Sequence, residues 1–489
     1  MRSMQWLGLS LAAVFLLLFF WGCTTTQAPL NPPPLSAANL NLIFVVSEDL
    51  AFQASGDLNP TTANLTSQGL QRALLMATFL RQSVLGTQNV TGIYALEPMT
   101  HLQTTSNYPD MVAIETIQQF AILNQITLSS DMTGGTPYTG NNYPINASYS
   151  SGSVPSGVAV PSPYCPTCQG LDFKDAGGDN EALVTGIVQA NAPGFYVFSA
   201  PWETTGALLA NLNQLKGYNL ALPSSYTSPN YIYAISITPA GSARLVTYNS
   251  NVTPPSTYPV LPPPTLASTP CAPTTPASIQ VTGGVDGAVV PAGANTNETL
   301  YIVRHAEAHP SGLWSDNNYV GAGQWRALDL PNALLGKISP QQVWSVDPAQ
   351  YSQGTVSASG DQYWSTAAPP LTVAPYAIAN NLPYQLVSSF NLGDANVGQE
   401  TSDFFFTGGQ FSHQKVLLGW AYVQINQAMN ALLLSYFPNG GVVPTPPVWS
   451  GLDYDSMWVV TLDAQGNLTA DFSQCEGLNS TLPAAPPQF

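Results

Sequence analysis

Thr299-Leu-Tyr-Ile-Val-Arg-His-Ala-Glu-Ala-His-Pro310 is the stretch on which the fold turns. Thr299 to Val303 is a β-branched and aromatic run, the composition of a buried strand. It stops abruptly at Arg304, His305, Ala306 and Glu307, which a strand interior would not tolerate but a strand's C-terminal end would. In open α/β sheets the ligand crevice lies at those carboxyl ends. An arginine there offers a permanent planar cation for phosphate, and a neutral imidazole beside it offers a nucleophile.

The same pattern occurs earlier in the chain. Leu42 to Val45 falls on Leu300 to Val303, which sets Val46 on Arg304 and Ser47 on His305. Leu65 to Leu74 then lies against Tyr319 to Leu328, and Ile93-Tyr-Ala-Leu-Glu97-Pro98 against Val343-Trp-Ser-Val-Asp347-Pro348. Asn230 to Gly241 lies against Asp455 to Gly466. Four blocks in one order read as an internal duplication. Thr66 or Ser67 is placed to cap a helix that runs through Gln71 to Arg81. Strands alternating with helices predict a three-layer α/β/α sandwich with a mostly parallel sheet, present twice.

The Arg304-His305 step after a strand resembles the Arg-His-Gly signature of the histidine phosphatase superfamily, the phosphoglycerate-mutase-like fold, with Ala306 where that family usually has Gly. The Leu65-Thr66-x-x-Gly69-x-Gln71-x-Ala73 run resembles the helix start that follows the motif in many members. The resemblance implies that His305 takes a phosphoryl group from a phosphomonoester and that Arg304 clamps its oxygens. Such sites also use a second Arg and a second His, because phosphoryl transfer is mostly positioning and charge stabilisation. Here Val343 to Pro348 is followed by no arginine, and Lys415 to Gly419 leads into Trp420-Ala421-Tyr422 instead of a histidine. In the first copy His101 stands near the second-strand position, with no Arg. His309 remains as a possible second imidazole or a loop residue, Glu307 as an acid or a partner of Arg304, and Tyr422 as one hydrogen-bond donor to phosphate. His413 precedes its strand and belongs at the wrong end of the sheet. The expected reading is therefore an incomplete phosphate site, inactive or weak, in a phosphate-binding or scaffold module. The alternative is an active phosphomonoesterase with His305 as its phosphorylated nucleophile.

The rest of the chain frames this pair. Residues 1–23 read as a secretory signal: Arg2, an apolar run from Leu7 to Phe20, then Gly22-Cys23. That ending resembles a bacterial lipoprotein cleavage site, which implies lipidation of Cys23 and an exported protein, periplasmic or at the cell surface, held to a membrane by its lipid. Residues 24–38 read as a tether, 39–250 as the degenerate copy, 251–294 as a Pro/Thr-rich linker and 295–489 as the copy that keeps Arg-His-Ala-Glu. Lys and Arg number 10 against 27 Asp and Glu, a net charge of −17 that excludes nucleic-acid binding through a basic patch. Charged residues make up only 8% of the chain, so its polar surface is built from Asn, Gln, Ser and Thr, which suits an acidic medium.

Apart from Cys23 there are four cysteines. Cys271 precedes the first strand of the second copy and Cys475 follows its last, so these two are the preferred disulfide partners. Cys165-Pro-Thr-Cys168 sits in a Pro/Ser loop, the wrong setting for a redox motif or a zinc site. No metal or cofactor is expected.

Overall fold

The computed structural model describes residues 31–53, 56–124, 126–130, 138–142, 145–147, 170–175, 177–263, 266–308, 318–348, 351–355, 361–387, 396–478 and 482–489. The signal with Cys23, the Cys165-Pro-Thr-Cys168 pair, most of the 129–162 loop and His309 lie outside them. Among the described residues no helix is long and apolar enough to cross a membrane.

Strand β1 (Leu40–Ser47) is buried along its whole length, which explains its unbroken apolar run. Helix α1 (Ser67–Phe79) follows, started by Thr66, whose hydroxyl accepts from the Gly69 N–H at 3.1 Å. Then come β2 (Gly92–Ala95), α2 (Val112–Leu123), β3 (Ile145–Asn146), α3 (Asp179–Ala190), β4 (Gly194–Pro201), α4 (Trp202–Lys216), β5 (Tyr231–Ile237) and β6 (Ala243–Asn249). Their sheet has the order β6-β5-β1-β4-β2-β3. β1, β4, β2 and β3 run parallel, and β5 and β6 add an antiparallel edge.

The second half is built from β7 (Ser278–Val281), β8 (Glu298–Arg304), α5 (Gly321–Ala333), β9 (Gln342–Val346), α6 (Ala368–Asn380) and β10 (Tyr384–Val387). α7 (Val397–Phe406), β11 (Lys415–Trp420), α8 (Tyr422–Ser435), β12 (Ser456–Leu462) and β13 (Leu468–Cys475) complete it. Its sheet order is β7-β13-β12-β8-β11-β9-β10. Without the edge strand β7 this matches the first sheet in order and direction, with β8 in the place of β1. The registers agree as well. Val45 pairs with Ser199 and Ile232, as Val303 pairs with Gly419 and Met457. Val46 thus stands where Arg304 does, and Ser47 where His305 does.

Two stretches expected to be loose are tied to the fold. Within 251–294, Ser278–Val281 forms β7 against β13, because Ser-Ile-Gln-Val alternates exposed and buried residues as an edge strand requires. The expected tether is docked from Asn31 onward: Asn31 exchanges hydrogen bonds with the Asn249 backbone, and the Tyr248 hydroxyl donates to the Pro33 carbonyl at 2.8 Å.

The two sheets share one apolar core, in which Ile43, Ile117 and Phe120 are continuous with Val303, Leu371 and Tyr384. Between the halves Gln118 and Asn318 exchange two side-chain hydrogen bonds of 2.9 and 2.8 Å. The carboxyls after β2 and β9, Glu97 and Asp347, are neighbours in full burial. Burial first, then the neighbouring Asp347, holds Glu97 well above the usual carboxylate range. The C-terminal tail crosses the same seam. Its Ala485 carbonyl accepts from Trp325 Nε1 at 2.6 Å and its Pro487 carbonyl from Gln119 Nε2 at 2.8 Å.

Cys271 and Cys475 are bonded, with Cα atoms 5.4 Å apart and a sequence separation of 204. The bond fixes the chain leading into β7 to the end of β13. A closed loop of this length contributes roughly 2–5 kcal/mol, largely by restricting the unfolded chain. The expected result for Cys271→Ser is a denaturation midpoint lowered accordingly. A midpoint unchanged from the native protein would show that the bond does not form.

Candidate phosphate site at the end of the central strand

β8 delivers His305 to the mouth of the sheet. The His305 N–H donates to the Trp420 carbonyl at 2.9 Å, so the ladder continues one residue past the strand. The imidazole is 6% exposed. Its Nδ1 lies 2.8 Å from the Ala306 carbonyl oxygen, which can only accept, so Nδ1 carries the proton and Nε2 keeps its lone pair. Burial, aided by the Arg304 cation, pushes the imidazole down to about 3. His305 is therefore neutral near neutral pH, the state a nucleophile requires. The Ala306 N–H is held by Thr372 Oγ1 at 2.8 Å, which fixes the turn.

Arg304 is placed differently from a phosphate clamp. Its guanidinium carbon sits 3.7 Å from the centroid of the Tyr454 ring and 4.5 Å from that of Tyr422. Nη1 donates to the Gly451 carbonyl at 2.6 Å and the Asp453 carbonyl at 3.1 Å, while Nε is buried with no acceptor among the described residues. Burial lowers its pKa, and the flanking tyrosines and acids oppose that shift. The expected clamp thus holds the 451–453 loop and is stacked between two aromatic rings, a cation–π arrangement that suits arginine. Tyr422 meets Arg304 through its ring face.

Glu307 pairs with Arg326 rather than Arg304. Nε and Nη2 of Arg326 meet both Glu307 oxygens at 2.7–3.1 Å, a bidentate pair. Arg326 Nη1 also donates to Glu476 and lies 3.6 Å from Asp455. One fully buried guanidinium is thus surrounded by three carboxyl groups, and burial raises Glu476 to about 8 despite Arg326. With both oxygens engaged, Glu307 is not placed to act as a free acid. The Arg72 helix position in the first half repeats the device on a smaller scale, with Asp57 at 2.7 Å and Asn230 as partners.

At the corresponding strand end of the first half the charge is inverted. Ser47 is buried with no partner for its hydroxyl among the described residues, and Glu48 and Asp49 follow it. His101 stacks on Phe173 with ring centroids 3.6 Å apart, its Nδ1 2.8 Å from Asp110 and its Nε2 3.4 Å from Asp49. Sequence reasoning missed this Asp-His-Asp group, which a search for His with carboxylates at strand ends would have found. Acids at this mouth repel a phosphate.

No family model matches the chain, and no curated protein matches it either. Solved structures similar to part of it include the protein histidine phosphatase SixA complexed with tungstate, at 18% identity over 36% of this chain and 97% of that one, with a TM-score of 0.24. Another is phosphoserine phosphatase from Entamoeba histolytica in complex with 3-phosphoglyceric acid, at 12% identity over 37% of this chain and 97% of that one, with a TM-score of 0.22. A mycobacterial glucosyl-3-phosphoglycerate phosphatase is similar at 12% identity over 38% of this chain and 99% of that one, with a TM-score of 0.20.

Proposed function

We propose that this chain is an exported, Cys23-lipidated envelope protein made of two histidine-phosphatase-like units, and that it binds phosphate or serves as a scaffold with little or no catalysis. The matching strand order and register of the two sheets support the duplication. The observation that carries the functional reading is the engagement of Arg304 by the Gly451 and Asp453 carbonyls and two tyrosine rings. A guanidinium held in this way has fewer donors to offer a transferring phosphoryl group, and the neighbouring carboxyl of Glu307 is locked to Arg326. Weak phosphate or vanadate binding, lost in Arg304→Ala, fits this reading.

The second reading is a phosphomonoesterase with His305 as the nucleophile, and one observation favours it. The imidazole is neutral with Nδ1–H already donated, so Nε2 keeps the lone pair that a nucleophile needs. Such an enzyme would need Tyr422 in a new role beside it. The two readings part in an aryl-phosphate assay run from acid to neutral pH beside His305→Ala. Equal, background rates in both proteins are expected. Turnover in the usual enzymatic range of roughly 1–10³ s⁻¹, abolished by His305→Ala, would establish the enzyme and sink the module.

A further inference from the structure

Arg304 is a buried cation without a counter-ion. It is 2% exposed, and among the described residues no carboxylate pairs with it. Glu307 is taken by Arg326. The Asp453 carboxylate is taken by Ser456, whose hydroxyl donates to it at 2.5 Å, and by the Asp455 and Ser456 N–H groups at 3.0 Å. Arg304 is left with two peptide carbonyls, those of Gly451 and Asp453, and two ring faces. Its Nε has no acceptor among the described residues. A buried charge is costly unless paired. An oxyanion, which accepts charge-assisted bonds, suits this guanidinium better than the neutral oxygens it now holds.

The chain that supplies those oxygens is lightly held. Residues 436–455, between α8 and β12, contain no helix or strand. A connection of that length without structure is uncommon inside a packed domain and is usually functional. Trp449 and Tyr454 are buried, but Leu452 between them is 45% exposed. Residues 450–453 bond mainly to one another: the Asp453 N–H donates to the Ser450 carbonyl and the Leu452 N–H to Ser450 Oγ, both at 3.1 Å. Their stem is Trp449. Its backbone exchanges hydrogen bonds of 2.9 and 3.1 Å with Asn426 of α8, and its Nε1 donates to the Asp453 carbonyl at 2.9 Å.

We propose, on the phosphate-binding reading of this site, that residues 450–453 are an autoinhibitory strap whose Gly451 and Asp453 carbonyls occupy the Arg304 donors a phosphate oxyanion would take. Docking of the strap and binding of phosphate then exclude each other. Phosphate must lift the strap, and its apparent affinity is reduced by the fraction of molecules in which the strap is closed.

The test titrates the full mature chain, native, Asn426→Ala and Arg304→Ala, with inorganic phosphate by calorimetry against chloride of equal ionic strength. Hydrogen exchange of the backbone amides of residues 449–455 is followed in parallel. Phosphate should speed exchange there in the native protein. Asn426→Ala, which removes both hydrogen bonds from the stem, should bind phosphate about tenfold more tightly. Arg304→Ala should bind none. Should Asn426→Ala not fold, the exchange measurement on the native protein decides alone. Phosphate bound through Arg304 with exchange at 449–455 unchanged or slowed would overturn the strap and leave the phosphate reading standing. Equal affinity in native and Asn426→Ala would do the same. No binding by either protein would overturn the strap and the phosphate reading together.

Discussion

Raising the pH from about 6.5 to about 8 should destabilise the folded protein steeply, contrary to the behaviour of folds that rely on ionised carboxylates. Burial holds Glu298 and Glu476 up to about 8 in the folded chain and Glu97 well above its ordinary 4.5. Between the unfolded and folded values the native state keeps a proton that the unfolded chain has released. The stabilisation these groups contribute is therefore complete below about 4.5 and is lost as pH rises toward 8. Each group adds a slope of about 1.4 kcal/mol per pH unit within its window. His305 works in the opposite sense. Its pKa falls from 6.5 to about 3 on folding, so it penalises the native state as pH drops below 6.5. The carboxyl slope is thus partly offset under acid and unopposed by His305 above 6.5. Denaturation midpoints measured across this range check the sign, and Glu298→Gln should flatten the curve. A midpoint that stayed level or rose from about 6.5 to 8 would show that these carboxyls are not buried as protonated acids.

The second large effect is expected at Arg326. Arg326→Met leaves Glu307, Asp455 and Glu476 facing one another in a site with no exposure for the arginine side chain. Removing one partner of a buried ion pair typically costs about 3–5 kcal/mol. Here three carboxyl groups, one of them the protonated Glu476, lose their common partner, so the loss should be large. Arg72→Met in the other half removes a 15%-exposed side chain with a single acidic partner, and its cost should be clearly smaller. Denaturant titration of the two variants side by side gives the comparison. Equal midpoints for both would mean that the three-acid cluster takes up protons or water without strain, and the account of Glu307 as a held carboxylate would fall.

How much of this was legible beforehand follows from how local each signal is. The strand ending in Arg304-His305 was readable because one apolar run and its polar stop lie in adjacent residues. The second strand run was readable for the same reason, and the registers of β1 and β8 set Val46 level with Arg304, as the sequence alignment had placed them. The role of Arg304 was not, because the Gly451 and Asp453 carbonyls and the Tyr454 ring arrive from a loop well over a hundred residues later. Glu307 is the same case, since Arg326 also draws Glu476 from 150 residues beyond it. Nor does composition separate β7 from the Pro/Thr-rich chain around it. That strand is decided by the free edge of β13, which no local pattern reveals.

The tail that crosses the seam has a consequence for the order in which the molecule can be finished. Chains emerge and begin to fold from the N-terminal side. The α2 helix of the first half emerges early, yet Gln119 finds its acceptor only at Pro487, and Trp325 finds its own only at Ala485. A nascent chain can assemble the first sheet, but it cannot seal that half until Ala485 and Pro487 have emerged. The α2 helix, made early, is thus among the last elements to be closed.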